Sequence, residues 1–96
     1  MKKSWTTKPE KDLLKAVGLL KNDRERAKFL RDLMTEPEIK EFSNRFLAAR
    51  LLHLKKPYTQ IEKLTGLSSA TVARIAKWLK KGEGGYKLAI HRMLGK

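Results

Sequence analysis

The sequence contains no cysteine. That excludes a disulfide framework and thiolate metal sites, and it fits a reducing compartment such as the cytoplasm. Aromatic residues make up only 7% of the chain, too few to place an exposed platform on which single-stranded bases could stack. The longest apolar run, Ala16 to Leu20 with Gly18 inside it, is far short of a membrane span. Lys2 and Lys3 are not followed by an apolar stretch, so no signal peptide is expected. No segment alternates apolar and polar residues with the period of a strand. Acids are scarce in the second half: residues 49–96 hold Glu62 and Glu83 against 11 Lys and Arg.

What is present is positive charge and helical spacing. The 96 residues carry 23 Lys+Arg against 10 Asp+Glu, a formal net charge of +13. The length fits one domain with a thin core of its own, and a hydrophobic fraction of 41% is too high for a disordered polyelectrolyte. Residues 1–48 are net +4 and residues 49–96 net +9. Charge gathered in one half points to a polyanionic partner there, nucleic acid ahead of an anionic membrane surface.

The apolar spacing predicts six helices. Thr7-Lys8-Pro9-Glu10 has the grammar of a capping box with proline in the first turn, ahead of Leu13, Leu14, Val17 and Leu20. Asp23 is expected to cap a second helix carrying Ala27, Leu30, Leu33 and Met34. Thr35-Glu36-Pro37-Glu38 reuses the opening grammar for a helix running to about Leu54. Ile39, Phe42, Phe46 and Ala49 form one stripe on it, and Leu47, Leu51 and Leu54 another. A helix apolar on two faces must be covered on both. A chain this small can hardly do that alone, so a homodimer is expected, with residues 1–54 mainly serving dimerisation. Short helices follow at about 58–65 and 69–81. Gly82, Gly84 and Gly85 then break the chain before a last helix within 86–95.

Residues Tyr58 to Ile75 follow the helix-turn-helix pattern, inside a unit spanning 57–81. Ile61 and Leu64 lie on the first helix, and Gly66 stands where the turn needs a positive φ. Leu67 can plug the angle, and Ser68 can cap the second helix. Val72, Ile75 and Leu79 face inward, which leaves Ser69, Ala70, Ala73, Arg74 and Lys77 outward. Small residues at the start of this helix, Thr71 among them, let it enter a major groove, where Arg74 and Lys77 can reach bases or phosphates. Lys80 and Lys81, with Lys55 and Lys56 before the first helix, suit the flanking backbone. Glu62 departs from the usual small residue four positions before the glycine, and so must lie at the edge of the helix pair or bend out to solvent.

The order of these parts resembles the Trp-repressor-like family, in particular its YerC/YecD-type branch. The resemblance rests on Thr35-Glu36-Pro37-Glu38-Ile39, Arg45, Tyr58 to Glu62, Thr65-Gly66, Ser69 to Val72, Arg74, and the exit from Lys81 to Tyr86. It implies an all-α, six-helix fold, an intertwined homodimer reading successive major grooves, and a repressor of transcription. In Trp repressor two arginines hold tryptophan, and they align with Arg45 and Arg74. A pocket glycine aligns with Ile75 and a small serine with Trp78. Both changes fill space, and tight pockets do not absorb extra methylenes. Arg45, Arg74 and Trp78 are therefore candidates for an effector site, but not for free tryptophan as ligand.

Other features have plainer readings. Arg45 can pair with Glu41 one turn back. Trp78 is expected to pack, and Trp5 to staple the first helix. His53 and His91 have no acid or cysteine cluster near them, so no metal is expected. Gly82-Glu83-Gly84-Gly85 lacks the strand and the lysine of a phosphate loop. Ser68 and Ser69 have no activating base nearby in sequence, so the chain is not expected to be an enzyme, and no cofactor is implied. The expected partner is double-stranded DNA in the bacterial nucleoid, with no membrane role. The alternative is a nonspecific basic binder of RNA or chromatin.

Overall fold

The computed structural model describes residues 4–95. Lys2 and Lys3, which bear on the signal-peptide expectation, lie outside the described residues. Six helices follow in order: α1 (Lys8–Leu19), α2 (Asp23–Leu33), α3 (Glu36–His53), α4 (Tyr58–Thr65), α5 (Ser69–Lys81) and α6 (Gly85–Met93). There is no strand among the described residues. The chain divides into two compact units, residues 1–36 and 37–96.

In the N-terminal unit the caps explain the helix starts. The Thr7 hydroxyl accepts from the Glu10 N–H at 3.3 Å, while the Glu10 carboxylate accepts from the N–H groups of Thr7 and Thr6 at 2.9 and 3.0 Å. These backbone donors hold the Glu10 carboxyl below its ordinary value of 4.5. The cap of α2 is Asn22 and not Asp23: its side-chain oxygen accepts from the Glu25 N–H at 2.9 Å. Asp23 is instead the first helical residue, where its charge suits the positive end of the helix and meets Arg26 at 2.8 Å. Neither α1 nor α2 buries a residue. Leu14, Val17, Leu19, Leu30 and Leu33 are all exposed. The α2 stripe also differs from expectation. Phe29 and Met34 are half-buried, while Ala27, Leu30 and Leu33 are open. Trp5, expected to staple α1, is 48% exposed.

The C-terminal unit holds the core. Ala48, Ala49, Ile61, Val72, Ile75 and Ile90 are buried together, flanked by Phe46, Leu51, Leu52, Leu67, Leu79 and Tyr86. Ala48 and Ala49 bring α3 into one buried cluster with side chains of α4, α5 and α6. The two stripes of α3 are only partly covered, with Phe42 and Leu54 exposed. α3 ends in a paired 6→1 and 5→2 arrangement: Lys56 N–H donates to the Leu51 carbonyl at 3.0 Å, and Lys55 N–H to that of Leu52 at 2.9 Å. Lys55 sits at φ +63°, the left-handed position that glycine usually fills. Pro57 then caps α4.

Candidate nucleic-acid interface

The turn between α4 and α5 is built by four consecutive residues. Gly66 closes α4 at φ +73°, and its N–H donates to the Glu62 carbonyl at 2.8 Å. Thr65 is buried; its hydroxyl donates to the Ile61 carbonyl at 2.7 Å and accepts from the Leu67 N–H at 3.2 Å. Leu67 packs against the core. Ser68 caps α5 by accepting from the Thr71 N–H at 3.2 Å and donates to the Thr71 hydroxyl at 3.0 Å. In the sequence Thr65 stands only among the residues of the family resemblance, with no role in the turn assigned to it. A small hydroxyl residue one position before a turn glycine is the signal that could have found it.

α5 is two-sided, as the spacing requires. Val72, Ile75 and Ala76 are buried and Leu79 half-buried, while Ser69, Ala70, Ala73, Arg74 and Lys77 are exposed. Thr71 is half-buried, its amide held by the Ser68 cap. Glu62 is half-buried at the edge of α4. α5 ends at Gly82, where a Cβ would collide with the Trp78 carbonyl. Gly82 to Gly85 is thus a helix break and not a phosphate loop. No acid pairs with Arg74, Lys77, Lys80 or Lys81 among the described residues, so that end of the helix presents uncompensated charge.

The remaining sequence candidates fall into separate places. Arg45 does pair with Glu41, at 2.8 Å, and lies over the Phe42 ring at 5.7 Å. Arg50 lies over Phe46 at 5.2 Å, and the Nε atoms of both arginines are buried without an acceptor. One amino group of the Arg45 guanidinium is thus engaged on its own helix, while its Nε is not. Ile75 is fully buried, so the branched side chain is a core residue, whereas Trp78 is 38% exposed. His53 and His91 meet edge to face, with ring centroids 6.3 Å apart. Nothing in their sequence neighbourhoods signals that contact. Among the described residues no group of three or more His, Asp or Glu is placed to hold a metal. Lys55, Lys56 and Lys80 share one groove with Lys87, apart from Arg74 and Lys77.

No helix among the described residues is long and apolar enough to cross a membrane. Residues 10–94 match the family model described as Trp repressor protein. The chain is 35% identical to the uncharacterized YerC protein of Bacillus subtilis (strain 168) over 81 residues, 84% of this chain and 78% of that one. Among solved structures, a TrpR-like protein from Eubacterium eligens ATCC 27750 superposes with a TM-score of 0.84 at 33% identity. The match covers 94% of this chain and 92% of that one. A candidate Trp repressor from Staphylococcus aureus gives 0.81 at 31% identity, over 90% and 86% of the two chains.

Proposed function

The chain belongs to the Trp repressor family, and on that premise we propose that it is a homodimeric repressor that reads double-stranded DNA sequence-specifically. The observation that carries the proposal is the outer face of α5, where Ser69, Ala70, Ala73, Arg74 and Lys77 are all exposed behind a capped N-terminus. Small residues there let the helix descend into a major groove. Backbone N–H groups near Ser68 and Ser69 meet a phosphate at the helix start. Arg74 reads a base edge and Lys77 grips the backbone. Lys80, Lys81, Lys55 and Lys56 add flanking phosphate contacts.

The uncovered leucines of α1 and α2, together with exposed Phe42 on α3 and Leu54 just after it, support the second copy. Two α5 helices about 34 Å apart would then meet successive grooves of a palindromic site. Free tryptophan is not the effector in this proposal. Ile75 and Trp78 occupy space where the aligned pocket is small, and Arg45 is held by Glu41. Calorimetric titration with tryptophan is expected to give no binding heat, and micromolar binding would refute that.

Genomic SELEX with the purified protein at near-physiological salt tests the whole proposal. Enrichment of one inverted repeat supports it. Tight but sequence-indifferent binding would favour a nonspecific basic binder, for which the net charge of +13 is the supporting observation.

A further inference from the structure

The groove that gathers Lys55, Lys56, Lys80 and Lys87 lies between the end of α3, the start of α4, the last turns of α5 and the first turn of α6. Its volume is about 520 Å³, within the usual range for a small-molecule site. Its floor is apolar, made by Leu52, Ala76 and Leu79, and the Tyr58 ring and His53 complete the rim. No acid lines it. Four lysines line one concavity with no acid among them, and a single carboxylate would leave most of that charge uncompensated. A multiply charged anion compensates it. A DNA backbone phosphate explains the lysines but has no use for an apolar floor beneath them.

The backbone adds a second observation. Lys55 holds the left-handed position that ends α3, where glycine is free of strain and lysine is not. The helix end explains the conformation, and lysine in place of glycine there puts a cationic side chain on the groove. Lys87 is a third. It stands on α6, outside the helix-turn-helix, and no DNA contact is assigned to it.

We infer that this groove binds a small phosphate ester with a flat or apolar body, its phosphate among the four lysines and its body against Tyr58 and the Leu52–Ala76–Leu79 floor. Lys55, Lys56 and Lys80 then serve two anions in turn. A bound ester neutralises charge that flanking DNA would otherwise use, so it acts as an inducer and weakens DNA binding. The ligand site stands without the DNA-binding proposal; the inducer role rests on it.

The test uses the full chain at near-physiological salt without divalent metal. Adenosine 5′-monophosphate, phenyl phosphate and inorganic phosphate are titrated separately and followed by amide chemical shifts. Both esters are expected to saturate, with inorganic phosphate at least about tenfold weaker because it gains nothing from the floor. The shifting amides are expected to lie at 52–58, 76–80 and 87. Lys87→Gln is expected to lose ester binding by about tenfold while binding a labelled duplex as the parent does. Lys55→Gly is expected to weaken ester binding without lowering the melting temperature, since it removes the charge and relieves the backbone together. Arg74→Ala is expected to bind the esters unchanged. No saturation by either ester, shifts confined to 68–74, or parental ester binding by Lys87→Gln would overturn the site. Ester binding that leaves duplex affinity unchanged would overturn the inducer role alone, and a chain that binds no duplex in SELEX would count against the DNA-binding proposal instead.

Discussion

Replacing Thr65 by valine keeps the shape of a buried side chain and deletes only its hydroxyl. That hydroxyl ties together the two ends of the turn, donating to the Ile61 carbonyl at 2.7 Å and accepting from the Leu67 N–H at 3.2 Å. The Ile61 carbonyl keeps its place in the α4 ladder. The Leu67 N–H has no comparable substitute and is left in a half-buried position, a loss of about 1–3 kcal/mol. The added methyl offsets part of it. A net loss of about 1 kcal/mol in a domain of this size corresponds to a fall of about 4–8 °C in melting temperature. Thr65→Ser is the matched control, because it keeps both hydrogen bonds and loses one methyl, about 1 kcal/mol. Thermal melts at one fixed protein concentration measure the totals. Hydrogen exchange at the Leu67 amide separates the causes: exchange should quicken in the valine variant and stay slow in the serine variant. A valine variant that melts with the parent and keeps Leu67 protected would refute the role given to Thr65.

Three more outcomes are expected. Arg74→Ala should weaken binding to a selected site by about 1–3 kcal/mol and relax one base position, while Lys77→Ala should weaken all duplexes alike and lower the salt slope by about 1; footprints and binding isotherms at several salt concentrations distinguish them. Gly82→Ala should lower the urea midpoint more than Gly66→Ala. The first drives a Cβ into the Trp78 carbonyl, whereas the second meets open space and carries only the strain of φ +73°, about 1 kcal/mol. The lowered pKa of Glu10 makes the start of α1 pH-dependent. Its contribution is complete above 4.5, the unfolded-state value, and fades as pH falls through the lower folded-state value, when the carboxylate stops accepting from Thr7 and Thr6. Glu10→Gln should abolish that acid-side dependence in a pH series of melting curves.

The extent to which each part was legible follows from how local its cause is. Caps and breaks depend on a few neighbouring atoms. So the starts of α1, α4 and α5 and the break at Gly82 were readable from Thr7, Pro57, Ser68 and Gly82. The two faces of α5 followed from spacing alone. The α2 cap was misplaced by one residue because Asn22 and Asp23 are both good caps, and only the geometry decides which one leaves the helix. The pairing of Arg45 with Glu41 was predictable because residues four apart on a helix touch. The groove holding Lys87 beside Lys55 and Lys80 was not. It joins positions up to 35 apart, Leu52 to Lys87, and which faces meet there depends on how α3, α5 and α6 pack. The His53–His91 contact escaped notice for the same reason.

α1 and α2 have twelve and eleven residues and bury none of them. Helices of that length are marginal in water without a surface to lie on. With a second copy as that surface, their persistence is a bimolecular property, tied to how many chains the cell holds. At low abundance the protein would have frayed arms and a single reading helix; above a threshold both become complete in the same step. DNA occupancy would then climb with roughly the square of chain number while dimers are scarce. Under the proposed dimeric repressor, a modest change in synthesis rate would become a sharp change in silencing, with no small molecule needed to set the threshold.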